Sequence, residues 1–543
     1  MTAGVGELTG FGKLARWTIR RDRLRLGLWL VAVPGIVLPS IAAYGGMFET
    51  EESAQARAAL MGTPTGTVFG GPGYGLDNYT AGAMVANELL LYLNITVALA
   101  AILLLVHATR SEEESGKLEL VGAAPVGRRA PLAAALAVVA AEVTAIGLAL
   151  GFGAMAYPEL DKTDCFAMGL VVAATGLAFT GVAALAAQIA STGRGAAGLA
   201  SALLGAAFMA RAFGDTATVQ GRADWMSWLS PLGWGNRTRV FVELRWWPIL
   251  LLIAFALVTG GAAWLLAARR DQGAGLVPAR RGAATASKSL LSLSGLVWRQ
   301  TQTSLAAWAG GAVILGAAMG PVIGGMGDYL RDNPLMAGML GVDTSASTDA
   351  MIEGFSGVII LYLAMLLAAY AILAIGQFHR DELAGLTALT LSGPVFRKRL
   401  LGASALTALA GALLGVGLAA MSYMVAVASD PAVDRMVVLG IAGAGLRAFP
   451  GLIATVALAV FLVSVAPRLA ALSWVPFGYA FVYVILGGIS DLPQWFRYGS
   501  PLSAINYATN TAVDWPAIAV LLILSAVLFT VGRQRFATRD LVA

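Results

Sequence analysis

Two short polar stretches carry the residue types best suited to engaging a partner. The first runs Arg110-Ser-Glu112-Glu113-Glu114-Ser-Gly116-Lys-Leu-Glu119-Leu and continues to Pro125 and the pair Arg128-Arg129. The second runs His379-Arg-Asp381-Glu382-Leu-Ala-Gly385 and continues to Pro394 and the pair Arg397-Lys398. In both, an acid stands three residues before a glycine, a proline follows nine residues after it, and the basic pair lies three and four residues beyond the proline. The acidic start, the glycine and the Leu/Val positions predict a short surface helix that ends near the proline. Basic residues in such a loop need no more than membrane topology to explain them. An acid-rich start, repeated at matched spacing, calls for a docked partner.

Other chemistry is poorly provided for. Cys165 is the only cysteine, and His107 and His379 are the only histidines. An intramolecular disulfide and a thiolate metal site are excluded, and a His-rich metal site has too few ligands. No nucleophile–base constellation appears, so neither catalytic nor metal-binding residues are expected on this chain. Glu142 and Arg447 fall inside long apolar runs, where a charge costs ~2.5–3.5 kcal/mol on insertion scales. They mark a polar patch in a pathway or structural pairs, and Arg447 could also snorkel. Glu88, with Asn87, lies near the outer end of another run.

The elements that position these residues are membrane helices. Of 543 residues, 58% are hydrophobic and 12% charged, against about 25% charged in soluble chains. The apolar residues gather in runs of the length that crosses a ~30 Å hydrocarbon layer as a helix, and they are too long and continuous for barrel strands. Spans are predicted near 24–47, 84–107, 131–155, 166–190, 196–213, 249–268, 304–326, 353–377, 401–426, 436–465, 470–489 and 516–532. With the N-terminus inside, Lys and Arg number 25 on the inner segments and 9 on the outer loops. The positive-inside bias therefore puts both termini in the cytoplasm of a bacterial inner membrane. The net charge of +5 is explained by this distribution and does not suggest nucleic acid.

The matched stretches belong to a longer repeat. Trp225 stands five residues before Ser230-Pro231-Leu232, and Trp495 five before Ser500-Pro501-Leu502; a Trp-Pro pair then opens each final span at 247–248 and 515–516. The expectation is an all-α polytopic protein of twelve spans in two parallel six-helix halves, 1–270 and 301–543, joined by a cytoplasmic linker over 271–300. Phe11, Leu14 and Trp17 share a helical face amid Lys13, Arg16, Arg20 and Arg21. That pattern predicts an interfacial helix before the first span, not a cleavable signal. A similar stretch, Leu290, Leu293 and Val297, precedes the seventh.

The Arg-x-Glu-Glu…Gly-x-Leu-Glu-Leu…Pro-x-x-Arg pattern resembles the coupling segment of ABC-2 type permeases. With the tandem halves, Ser-Pro-Leu-Gly-Trp at 230–234 and Arg-Trp-Trp-Pro at 245–248, the chain resembles exporters of polyketide antibiotics of the tetronasin type. The resemblance implies that Glu112, Glu113, Glu114, Gly116, Glu119 and Arg128, with Asp381, Glu382, Gly385 and Arg397, couple to two copies of a cytoplasmic ATPase subunit. ATP and Mg would be bound there, because this chain has no Gly-x-x-x-x-Gly-Lys-Ser/Thr loop. The second half has Asp381-Glu382 in place of three glutamates, so the two docking sites are expected to be unequal. The resemblance also implies short re-entrant helices that cap the exit, involving Trp225, Pro231, Trp234, Trp495 and Pro501; an aromatic interfacial belt is the simpler alternative.

A hydrophobic small molecule would pass between the halves, near Tyr92, Asn94, Phe208, Met209, Tyr362, Trp474, Phe477 and Phe481, residue types that otherwise serve ordinary packing. The leading function is the permease subunit of an ATP-driven drug exporter that works by alternating access. The alternative is a proton-coupled secondary transporter using Glu142 and Glu88, which leaves the two loops unexplained. A membrane scaffold or receptor is a third possibility.

Overall fold

The computed structural model of the chain describes residues 6–541 apart from 48–50, 117, 120–122, 220–223, 272, 278–283, 321–322, 324–325, 333–346, 431–432, 487–493 and 509–511. The chain divides into two compact units, Met1–Gly282 and Ala283–Ala543.

The first unit contains α1 (Phe11–Met47), α2 (Glu51–Met61), α3 (Pro64–Gly70), α4 (Ala81–Glu114), α5 (Ala130–Ala154), α6 (Lys162–Ile189), α7 (Gly193–Val219), α8 (Pro231–Asn236) and α9 (Trp247–Arg269). The second contains α10 (Leu293–Met319), α11 (Met326–Asp332), α12 (Thr348–Leu383), α13 (Leu386–Leu391), α14 (Arg397–Val427), α15 (Arg435–Val465), α16 (Val475–Leu486) and α17 (Trp515–Thr538). Among the described residues, 11 helices are long and apolar enough to cross a membrane.

The expected span over 470–489 is the exception. Pro467 opens a 3₁₀ segment through Trp474, and Pro476 lies in the first turn of α16, which has 12 residues. The ladder breaks at Ala466, whose backbone is non-helical at φ −135° and ψ 69°, and the residues that follow start again as a 3₁₀ segment. Twelve helical residues reach only ~18 Å, and 487–493 lie outside the described residues.

The expected separate interfacial helices are also corrected. Phe11 and Trp17 begin one unbroken 37-residue helix that includes the first span. At 1.5 Å per residue it is about 55 Å long, well beyond the hydrocarbon layer, so its basic first turns project past it. Leu24, Leu28 and Val31 share one exposed apolar face of it, and Ile36 is exposed further along. In the second unit, a 3₁₀ turn over Lys288–Leu291 leads directly into α10.

Within the first unit α6 is the central helix, flanked by α4, α5 and α9. Small residues allow the approach: a Cβ on Gly151 would lie 3.0 Å from the Cys165 carbonyl oxygen, and one on Gly147 would sit within the backbone of Gly169. Without a hydrophobic drive between helices in lipid, this close packing supplies much of the association. Gly169→Leu is therefore expected to separate α5 from α6 and lower the midpoint of thermal unfolding in detergent by several degrees. An unchanged midpoint would refute that crossing.

In the second unit α12 is the most deeply buried long helix and packs on α10, α14 and α15. The last helix of each unit carries proline in its first turn, Pro248 and Pro516, where its missing donor has no intrahelical acceptor to lose.

Candidate functional site

The two acidic stretches end the second long helix of each unit in the same way. α4 passes through a π-turn at His107–Ser111, and its helical structure stops at Glu114, before Gly116 at φ +74°. α12 stops at Leu383, before Gly385 at φ +75°. Gly116 N donates to the Glu113 carbonyl at 3.1 Å, and Gly385 N to the Glu382 carbonyl at 3.0 Å. The left-handed conformation is what the glycine supplies, since a Cβ at either position meets nothing within 4 Å. Gly116→Val or Gly385→Val is expected to cost ~1–2 kcal/mol through backbone strain alone, read as a small drop in unfolding midpoint. A neutral result would exclude the left-handed turn.

The acid three residues before each glycine does not point to solvent. Glu382 has a fully buried carboxylate gripped by Arg539 in two parallel bonds, Nη1 to Oε1 at 2.7 Å and Nη2 to Oε2 at 2.7 Å. Glu113 accepts from Arg270 Nη2 at 2.8 Å, from Arg110 Nη1 at 2.8 Å and from Gly273 N at 2.6 Å. Arg270 and Arg539 each immediately follow the last helix of their unit. The basic pair completes the arrangement: Arg128 Nη2 donates to the Arg270 carbonyl at 2.8 Å, and Arg397 Nη1 to the Arg539 carbonyl at 2.5 Å. The acid and the terminal arginine are 157 residues apart in both units, and the two arginines 142 apart in both. Each unit thus ties the end of its second long helix, the loop that follows, and the end of its last helix into one charge-assisted clasp.

The rest of the first stretch is also engaged. Glu112 pairs with Arg21 at 2.9 Å, and Glu114 accepts from Gly193 N at 2.8 Å. Arg110, 1% exposed, further donates to the Ser191 carbonyl at 2.7 Å. In the second stretch Asp381 accepts from Gln377 at 2.5 Å. What faces solvent is different. In the first unit Glu114, despite its bond to Gly193, and Glu119 are exposed. In the second, Leu383, Leu386, Leu389 and Phe396 are more than half exposed, with Leu389 at 72%. Leu386 and Leu389 lie one turn apart on α13, immediately after Gly385.

At the opposite ends of the helices, Glu88 sits in a π-turn at Val85–Leu89 and is held by Arg57 at 2.8 Å and Tyr79 at 3.0 Å. Asn87 bonds the Tyr74 backbone. A second buried pair, Arg211–Asp215 at 3.3 Å, is tied to Ser227 through Asp215 at 2.7 Å and to the Thr67 and Val68 carbonyls through Arg211. The 224–248 segment folds back against this pair through Ser227. It forms a short turn at Ser227–Leu229, then α8 with Pro231 buried and Ser230 capping Gly233 N, then Arg239 and Phe241 at positive φ. Trp234 is half-buried, donates to the Trp228 carbonyl at 2.8 Å and meets Phe255 edge-on. Trp225 and Trp495 are exposed, while Pro501 is half-buried.

The remaining candidate residues lie within their own units. Tyr92, Tyr362, Trp474 and Phe481 are exposed at their helix surfaces. Phe208, Met209 and Phe477 are half-buried, and Phe208 lies under the Arg211 guanidinium while Phe477 packs edge-on to Trp474. Asn94 is fully buried, with neither amide atom hydrogen-bonded among the described residues, facing Gly235. Glu142 is buried, and its Oε1 has no hydrogen-bond partner among the described residues. Arg447 donates to the Asn506 carbonyl at 3.3 Å and to the Ala508 carbonyl. Those backbone partners hold its guanidinium in place.

Sequence reasoning passed over Arg57, Asp215, Arg270 and Arg539. The last two carried a signal: each is the arginine that follows the final span, at the same distance from its acid.

The family model described as "Multidrug efflux system permease Rv1217c, C-terminal domain" matches residues 17–266 and 290–537. The two matched segments divide where the structural units do. The multidrug efflux system permease protein Rv1217c of Mycobacterium tuberculosis is 34% identical over 548 residues, covering 98% of this chain and 95% of that protein. This multi-pass membrane chain therefore belongs to the Rv1217c family of multidrug efflux permeases.

Proposed function

We propose that this chain is the membrane permease of an ATP-driven exporter of hydrophobic molecules, of the ABC-2 class, served by two separate ATPase subunits at its two clasped loops. The observation that carries the reading is the pair of clasps. Two largely buried Glu–Arg pairs with the same sequence separations, each ending in a left-handed glycine and a loop, support a repeat with one force-receiving lever per half. A push on either loop reaches two helix ends at once, because a buried, hydrogen-bonded ion pair resists being opened. That is the mechanical requirement for alternating access driven from outside the bilayer. The Arg-rich ends that carry the clasps then face the cytoplasm, and the folded 224–248 segment caps the exit.

The test is co-purification of the full chain with a cytoplasmic ATPase, followed by measurement of ATP hydrolysis with and without hydrophobic drugs. Drug-stimulated hydrolysis by the complex is expected. A chain that exports drugs while binding no ATPase would overturn the proposal.

Proton coupling makes a contrary prediction at Glu142, the buried carboxylate whose Oε1 has no hydrogen-bond partner among the described residues. Under the ATP-driven reading, Glu142→Gln retains at least half of wild-type efflux, and collapsing the proton gradient while ATP is maintained leaves efflux running. Loss of efflux in both experiments would favour the secondary transporter.

A further inference from the structure

The second unit contains a groove of about 770 Å³ that the clasps do not use. It is lined by the start of α10 (Ser292, Leu293, Trp298), by α14 from Lys398 to Ala410, and by Arg533 of α17. Three cations, Lys398, Arg399 and Arg533, stand at its mouth, all exposed. None of them has an ion-pair partner among the described residues, and no carboxylate is among the lining residues. Arg533 Nε donates to the Lys398 carbonyl at 3.3 Å, which fixes α17 against the start of α14. The positive ends of two long helices, α10 and α14, also point to this mouth. From Lys398 to Ala410 the groove follows α14 for about 18 Å along the helix axis. Its length is apolar: Trp298 and Leu406 are 45% and 64% exposed, beside Ala403 and Ala410.

The equivalent place in the first unit is neutralised. The offset that carries Glu113 onto Glu382 and Arg270 onto Arg539 places Arg129, Ala130 and Trp264 at the positions of Lys398, Arg399 and Arg533. Arg129 pairs with Glu7 at 2.9 Å and lies over the Trp264 ring. One unit therefore satisfies its cation internally, while the other leaves three cations above an apolar channel that runs into the membrane-spanning region.

We propose that this groove binds one anionic phospholipid, its phosphate held by Lys398, Arg399 and Arg533 and an acyl chain lying along Trp298, Leu406 and Ala410. Basic pockets between helices at the cytoplasmic membrane surface suit such head groups. A soluble acidic partner could meet the cations but could not follow the apolar length. A cationic hydrophobic drug would be repelled at the mouth. The assignment to the cytoplasmic leaflet rests on the orientation proposed above, but binding itself does not.

The test is native mass spectrometry of the full chain in detergent with phosphatidylglycerol, phosphatidylcholine or glycerol phosphate added. Phosphatidylglycerol is expected to be retained at least five-fold over phosphatidylcholine, with one copy released first by Lys398→Gln/Arg399→Gln/Arg533→Gln. Arg399→Gln alone should give a partial loss, which keeps the test valid if the triple variant misfolds. Leu406→Asp should also lose the lipid, whereas Arg129→Gln in the first unit should keep it. Equal retention of the two lipids, full retention by the triple variant, or competition by glycerol phosphate as strong as by lipid would each overturn the proposal. Because the readout is a bound mass in detergent, it can fail while drug-stimulated ATP hydrolysis persists, and succeed where that is absent.

Discussion

Reversing one charge of the second clasp, by Glu382→Arg or Arg539→Glu, is expected to abolish efflux, and the double exchange is expected to restore a substantial part of it. Either single change faces two like charges in a site where the Glu382 carboxylate is fully buried. Removing one partner of a buried pair costs ~3–5 kcal/mol, chiefly because the other charge is left uncompensated. The exchange restores both charge and donor number. Lysine at 539 should do worse than arginine, since only the planar guanidinium matches both carboxylate oxygens. In the first clasp Glu113 keeps Arg110 and Gly273 N when Arg270 is lost, so Arg270→Gln should cost less than Glu113→Arg. Efflux of a fluorescent hydrophobic dye, normalised to the amount of chain in the membrane, reads all of these. If Glu382→Arg alone transports normally, or if the exchange rescues nothing while the chain inserts normally, the clasp is not a working part.

Leu386→Asp/Leu389→Asp is expected to reduce ATPase co-purification and drug-stimulated hydrolysis at least ten-fold without lowering the unfolding midpoint. Both leucines are exposed, at 53% and 72%, so the folded chain alone gains little from them. An apolar tip on a short helix beside a buried clasp is the kind of exposed patch that marks an interaction surface. The equivalent segment of the first unit presents the exposed Glu119, so Glu119→Lys should have a smaller effect. Normal ATPase binding by the double aspartate variant would move the docking surface elsewhere. The sequence reading placed docking on the acids. The structure turns Glu113 and Glu382 inward, while Glu114, Glu119, Leu383, Leu386 and Leu389 are exposed.

Membrane character and most helix positions were legible from the chain because both are local properties: a run of apolar residues long enough to span lipid declares itself whatever it packs against. The matched Glu–Gly–Pro–Arg spacing was equally visible, and so was the expectation that it serves a partner. Local patterns misled where two neighbouring segments compete for one helix. The amphipathic residues 11–21 read as a separate surface helix, yet nothing between them and the first span interrupts the hydrogen-bond ladder, so α1 is continuous. At 466–474 a non-helical Ala466 and the 3₁₀ segment after it do interrupt the ladder, and the hydropathy of the run conceals the break.

What only the tertiary structure decided was the direction in which the charges face. A carboxylate in a polar loop has the same local sequence whether it meets solvent or an arginine 157 residues away. That choice depends on where the last helix of each unit ends in space. The same holds for Lys398, Arg399 and Arg533, which the sequence shows only as topology-setting charges. The packing of α10, α14 and α17 brings them to one groove and leaves them without a counter-ion there.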